Sequence, residues 1–90
     1  MKSLTDNDWN KEAARILKSQ LALRGITYQR LAELLNNAGV PATKASIDSK
    51  ISRGTFSAAF LIQCLRVIGC ENLDLRKTDT ITESTARNDE

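Results

Sequence analysis

The chain has 90 residues, of which 41% are hydrophobic and 27% are charged, and we expect one small globular domain. It contains no histidine, so the usual general base and the commonest metal ligand are missing. No apolar run approaches the roughly 18 residues that span a bilayer, and the N-terminus lacks the apolar core of a signal peptide, so we expect a cytoplasmic protein with no membrane partner.

The net charge of +2 hides an asymmetry along the chain. Residues 1–70 hold ten basic and five acidic residues, whereas residues 71–90 hold three basic and six acidic ones. A basic domain favours polyanionic partners, although an excess of this size is also ordinary for a small domain. The two cysteines are too few for a metal site, and we find no nucleophile motif or phosphate loop. We therefore expect no metal, no cofactor, no small-molecule substrate and no enzymatic activity.

The first helix is predicted from its capping pattern and its apolar stripe. Thr5 and Asp8 fit a capping box, and Leu4 with Trp9 is placed to form a hydrophobic staple. Gly25 supplies the left-handed stop. Apolar residues at helical spacing predict the face that enters the core: Trp9, Ala13, Ile16, Leu17 and Leu21.

Two further helices follow from the same signals. Thr27 can cap a second helix, whose buried edge is Leu31, Ala32 and Leu35. Asn36, Asn37 and Gly39 end this helix, and the segment 40–42 leads away from it. Thr43 can cap a third helix from Lys44 to Arg53, which Gly54 ends. Only Ile47 and Ile51 of this third helix face inward, and its opposite face is rich in serine.

Ser57 can cap a fourth helix, which is apolar nearly all round up to Gly69. Such a helix lies in the centre of a core or is covered by another subunit. Leu73 and Leu75 are placed to cover one end of the bundle. We expect an all-α domain of four helices over residues 4–75, followed by a flexible, disordered polar tail over residues 76–90.

The third helix is the segment that suggests a function. Serine is a mediocre helix former, so the segment is either an ordinary solvated helix with two anchors or one adapted to approach another surface. Under the second interpretation Lys44, Lys50 and Arg53 meet phosphates. Ser46, Ser49 and Arg53 can also reach base edges in a major groove. Lys50 and Arg53 lie near the C-terminus of this helix, where a positive charge is stabilising even without a ligand.

Residues 26–69 resemble the helix-turn-helix domain of the lambda-repressor/Cro-like family. The features that carry the resemblance are Ile26-Thr27, Leu31-Ala32, Ile47 and Ile51, Arg53-Gly54, Ser57, and Ile68-Gly69. The connection from Asn36 to Ala42 is several residues longer than the tight turn of that family. The run KISRGTFSAAF over residues 50–60 is also similar to an uncharacterised bacterial domain family that shares the helix-turn-helix outline.

The resemblance implies a lambda-repressor-like helix-turn-helix fold and docking of the third helix in the major groove. The residues nearest the bases would be Thr43, Lys44, Ser46 and Ser49. The residues that grip the backbone would be Thr27, Gln29, Lys50 and Arg53. The implied function is a DNA-binding transcriptional regulator of bacterial or phage type that binds double-stranded DNA as a homodimer. The alternative is a protein–protein interaction module on the same scaffold, in which the apolar fourth helix is the contact surface.

Overall fold

The computed structural model describes residues 4–75, and this part of the chain contains four α-helices and no strand. The helices are α1 (Asp6–Leu23), α2 (Tyr28–Asn37), α3 (Lys44–Arg53) and α4 (Ala58–Val67). The prediction of an all-α fold with four helices is confirmed. The predicted disordered tail, residues 76–90, lies outside the described residues.

Every helix begins directly after the residue that the sequence predicted as its cap. The side chains of Thr5, Thr27, Thr43 and Ser57 each accept a hydrogen bond from a backbone N–H in the first turn. At α1 the capping box is complete, because Asp8 accepts from the backbone N–H of Thr5 at 2.9 Å. The two hydrogen bonds from Thr5, first the backbone one and then the hydroxyl one, lower the pKa of the Asp8 carboxyl.

The core lies where α3 packs against α1 and α2, and where α4 packs against the same two helices. Its fully buried larger side chains are Leu17, Leu31, Leu35, Ile47, Ile51 and Cys64. The predicted inner faces of α2 and α3 are thus buried, since Ala32 is buried as well. Within residues 4–75 the buried positions hold no polar or charged side chain, so hydrophobic burial is the main stabilising term of this core.

The predicted inner face of α1 is wrong at its first turn. Trp9 is 58% exposed, and the buried residues of α1 are Ala14, Leu17 and Leu21. The buried face of α1 therefore contains Ala14 and is rotated away from Trp9. Asn10 lies on this face, one helical turn before Ala14. The backbone of Gly54 approaches the backbone of Asn10 so closely that the start of α1 is covered there rather than at Trp9.

The connection between α2 and α3 begins two residues later than predicted, because Asn36 and Asn37 still belong to α2. One side chain holds this connection in place. The amide nitrogen of Asn36 donates to the backbone oxygens of Ala32 and Ala42, each at 2.8 Å. The backbone N–H of Ala42 in turn donates to the amide oxygen of Asn36 at 3.3 Å. The connection thus leaves α2 and reaches the Thr43 cap of α3 along a defined path.

The fourth helix is only partly enclosed, although almost all of its residues are apolar. Phe60 and Cys64 are buried, whereas Ile62 is 57% exposed. After α4 the chain turns back, and Leu73 is partly buried. The prediction that Leu75 covers one end of the bundle is wrong, because this side chain is 66% exposed.

Candidate nucleic-acid interface

The predicted recognition helix, α3, is anchored by its inner face alone. Ile47 and Ile51 are completely buried between α1 and α2. The helix begins at the Thr43 cap and ends at Gly54, whose left-handed backbone at φ 68° stops it. Because both ends and the inner face are fixed, the outer face of α3 is presented by a rigid element.

Most of the predicted DNA-contacting residues lie at the surface. The exposed ones are Thr27, Gln29, Thr43, Lys44, Lys50 and Arg53, and the half-buried ones are Ser46 and Ser49. Six of these eight residues lie on α3 or its cap, and the other two lie at the start of α2. The two helices pack against each other.

Several hydroxyl groups of this surface already have hydrogen-bond partners in the helix caps. The hydroxyl of Thr43 accepts from the backbone N–H of Ser46 at 3.0 Å. The hydroxyl of Ser46 accepts from the backbone N–H of Thr43 and donates to its backbone oxygen. The hydroxyl of Thr27 accepts from the backbone N–H of Arg30. Ser46 is therefore occupied as both donor and acceptor within the cap of α3.

The three cations of α3 have different surroundings. The ammonium of Lys50 lies 4.8 Å from the centroid of the Phe60 ring, so it stands over α4. Within the described residues Lys44 and Arg53 take part in no ion pair or side-chain hydrogen bond. These two side chains are free to meet an anionic partner.

Asp48 is a charged residue of this surface that lies outside the predicted DNA-contacting set. It is exposed in the middle of α3 and brings negative charge to an otherwise cationic helix. Burial raises the pKa of the Tyr28 hydroxyl, and the charge of Asp48 raises it further. The signal was present in the sequence, since Asp48 is the only acidic residue between residues 34 and 70.

The cationic side of α1 also borders α3, which the sequence did not indicate. A shallow groove of about 450 Å³ runs between the two helices. Its charged walls come from α1, where Arg15 is paired with Glu12 at 2.6 Å. The basic residues that line this groove are Lys11, Arg15 and Lys18. The positive charge of the domain is thus spread over two adjacent helices rather than confined to α3.

Residues 4–75 contain no group of acidic residues and cysteines that could hold a metal ion. No helix in this part of the chain has both the length and the apolar character needed to cross a membrane. The two cysteines are free thiols, of which Cys64 is buried and Cys70 is half-buried. Cys64 is thus a small residue of the hydrophobic core.

Residues 9–73 match the model of a family described as Domain of unknown function (DUF6471), and the chain belongs to this family. The match extends from the first turn of α1 beyond the end of α4. The match supports the expected similarity to an uncharacterised domain family. It does not test the run over residues 50–60 as a signature of that family. The resemblance to the lambda-repressor/Cro-like family remains a hypothesis. Neither the curated proteins nor the solved structures include a match to the chain.

Proposed function

We propose that the chain is a sequence-specific DNA-binding transcriptional regulator of bacterial or phage type, in which α3 reads the major groove of double-stranded DNA. The observation that carries this proposal is the contrast between the two sides of α3. Its inner side consists of the completely buried Ile47 and Ile51, while its outer side carries small side chains and three cations. A thin, rigid, cationic helix is the kind of element that can enter a major groove.

The contacts fall into two groups under this proposal. Thr43, Lys44 and Ser49 lie toward the bases, and Ser46 contributes its small size because its hydroxyl is engaged in the cap. The groups that hold the phosphate backbone are Thr27, Gln29, Lys50 and Arg53. Phosphate contacts fix the position on the duplex, whereas the residues near the bases give the sequence preference. Pairing of two chains would present two copies of α3 to successive turns of the duplex.

The charge distribution supports a polyanionic partner. Lys44 and Arg53 have no anionic partner within residues 4–75, and the basic wall of α1 stands beside α3. Asp48 opposes this attraction, because its carboxylate lies on the same helix. The net effect is still attractive, since α3 carries three cations and one anion.

The test is a titration of the chain against random-sequence duplex DNA over a range of salt concentrations. With about four to eight phosphate contacts, log K should fall with log[salt] at a slope of about −4 to −7. A variant in which Lys44, Lys50 and Arg53 are all alanine should bind much more weakly and with a smaller slope. Circular dichroism checks that this variant is folded. A wild-type slope near zero would overturn the proposal.

The chain provides a matched control for the loss of charge. Arg24 and Arg53 are both exposed, both stand at the end of a helix and both precede a glycine with positive φ. Arg53→Ala should reduce the magnitude of the salt slope by about one unit, whereas Arg24→Ala should leave it nearly unchanged. Equal effects of the two substitutions would mean that binding depends on net charge rather than on α3.

The second candidate function is a protein–protein interaction module, and the exposure of Ile62 on α4 favours it. This function predicts that alanine at Lys44, Lys50 and Arg53 leaves the biological activity intact. It also predicts that a polar residue at position 62 abolishes that activity. The two candidates therefore make opposite predictions for the triple-alanine variant.

A further inference from the structure

A small groove at the end of α4 combines an apolar wall with one charge of each sign. The groove has a volume of about 280 Å³. Ile62 is 57% exposed beside it, although most apolar side chains of α4 turn inward or are half-buried. The residues that line the groove are Ile62, Leu65, Arg66, Cys70, Glu71 and Leu73.

The two charged residues of this groove lack ionic partners of their own. Both Arg66 and Glu71 are exposed, and neither takes part in an ion pair within residues 4–75. Their separation by five positions in sequence places one on the last turn of α4 and the other just after it. The rim of the groove thus offers a cation and an anion beside the same apolar wall.

We propose that this groove is the pairing surface for a second copy of the chain. In a two-fold symmetric interface the same patch meets itself, so residue i of one copy contacts residue j of the other and the reverse. A patch with one cation, one anion and a projecting apolar side chain is self-complementary in this sense. Arg66 of each copy meets Glu71 of its partner, and Ile62 of each copy packs into the apolar part of the partner's groove.

Self-association explains the composition of α4 better than a purely internal role does. Only one side of the helix is needed for the core, where Phe60 and Cys64 are buried. The exposed Ile62 then has no internal function. Together with Leu65 and Leu73 it forms one apolar patch with a charged rim, which is a feature of interaction sites. The surface is small, so the pairing should be weak and depend on concentration. The inference does not depend on DNA binding.

The first experiment is analytical ultracentrifugation of the full chain without DNA, under reducing conditions that exclude a covalent dimer through Cys70. The wild type should shift toward twice the monomer mass between about 10 μM and about 1 mM, the range expected for a small interface. Ile62→Asp should weaken the association at least about tenfold. The matched control is Trp9→Asp, because Trp9 is 58% exposed, lies outside the groove and stands in the first turn of α1, where an acid is tolerated.

The second experiment reverses the charges one at a time. Arg66→Glu gives a chain with two acids at the rim, and Glu71→Arg gives a chain with two cations, so each variant alone should associate at least about tenfold more weakly than the wild type. An equimolar mixture of the two should recover dimers, because every cross-chain pair is then opposite in sign. An ion pair within one chain cannot produce this recovery. Circular dichroism verifies that both variants are folded.

Three results would overturn the inference. One is a wild type that stays monomeric up to about 1 mM, which would mean that the groove is covered by residues 76–90 or receives a different protein. Another is an equimolar mixture of Arg66→Glu and Glu71→Arg that associates no better than either variant alone. The third is equal weakening by Ile62→Asp and Trp9→Asp. Since no DNA is present, each result is independent of the proposed regulator function.

Discussion

The side-chain amide of Asn36 binds both backbone groups of Ala42, six residues further along the chain. The same amide nitrogen also donates to the backbone oxygen of Ala32 in α2. One side chain thus ties the end of α2 to the residue just before the Thr43 cap. The long connection is therefore compatible with a fixed angle between α2 and α3.

Asn36→Ala should destabilise the domain by about 1–2 kcal/mol, because three hydrogen bonds are lost at a partly exposed site. The control is Asn37→Ala at the neighbouring position, where the side chain is exposed and makes no hydrogen bond within residues 4–75. The gain in helix propensity is the same for both substitutions and cancels. Urea unfolding measures the difference, and equal free energies of unfolding would contradict the role of Asn36.

Gly54→Ala should be among the most destabilising single substitutions in the chain. Gly54 has a φ of 68°, and an added Cβ would collide with the backbone carbonyl of Asn10, 2.7 Å from its carbon atom. A left-handed non-glycine residue costs about 1–2 kcal/mol, and the collision adds about 1–3 kcal/mol. Neither helix can yield without moving its backbone. We expect a loss of about 2–5 kcal/mol in the free energy of unfolding by urea or heat.

Gly25→Ala separates the cost of the left-handed backbone from the cost of the collision. Gly25 has nearly the same φ, 64°, but nothing lies within 4 Å of an added Cβ. This variant should lose only the backbone cost, about 1–2 kcal/mol. If Gly54→Ala and Gly25→Ala were equally stable, the close approach of α1 and α3 at Asn10 would be wrong.

The helix boundaries were predictable because their signals are local. A hydroxyl residue at each cap and a glycine after α1, α2 and α3 act within a few residues of the chain. The third helix illustrates this, since both its bounds and its two buried isoleucines, Ile47 and Ile51, were predicted and confirmed.

What the sequence did not reveal depends on contacts between distant residues. Trp9 was placed in the core because its spacing fits the apolar stripe, but the chain returns at Gly54 and covers Asn10 instead. Likewise, Asn36 was interpreted as a residue that ends α2, and its partner Ala42 could not be identified without the path of the connection. Only part of the candidate site was therefore predictable: the cations of α3 were, whereas their basic neighbours on α1 were not.

The stability of the domain should decrease in alkaline solution through Cys64. Burial raises the pKa of this thiol from 9.0 to about 11, while the nearby Lys50 ammonium lowers it by a smaller amount. The unfolded chain therefore loses this proton at a lower pH than the folded chain does. The contribution of Cys64 to stability is complete below pH 9.0 and is lost as the pH rises toward about 11.

Comparison of the wild type with Cys64→Ala isolates this effect from the titration of lysine and tyrosine. The substitution leaves a small cavity, so the variant should be less stable at neutral pH. The difference in free energy of unfolding between the two proteins should narrow between pH 9.0 and about 11. A difference that stays constant with pH would contradict the argument.

Removal of the only anion on α3 should strengthen DNA binding if α3 is the DNA-facing element. Asp48→Asn should raise the affinity for duplex DNA about three- to tenfold at low salt, and the gain should decline as salt is added. Asp6→Asn is the control, because it makes the same change of charge at an exposed position on α1. An equal gain from both substitutions would mean that the whole domain, and not α3, attracts the duplex.

The same variant tests the geometry of α2 and α3 without DNA. The chain has a single tyrosine, Tyr28, and the carboxylate of Asp48 is the second cause, after burial, of its raised pKa. Asp48→Asn should therefore move the pKa of Tyr28 down toward 10.0 in an ultraviolet titration, whereas Asp6→Asn should not. If the pKa falls and the affinity does not rise, α2 and α3 are arranged as described but do not face DNA. That outcome would favour the protein–protein interaction module, because the surface would have the described geometry and yet would not attract a polyanion.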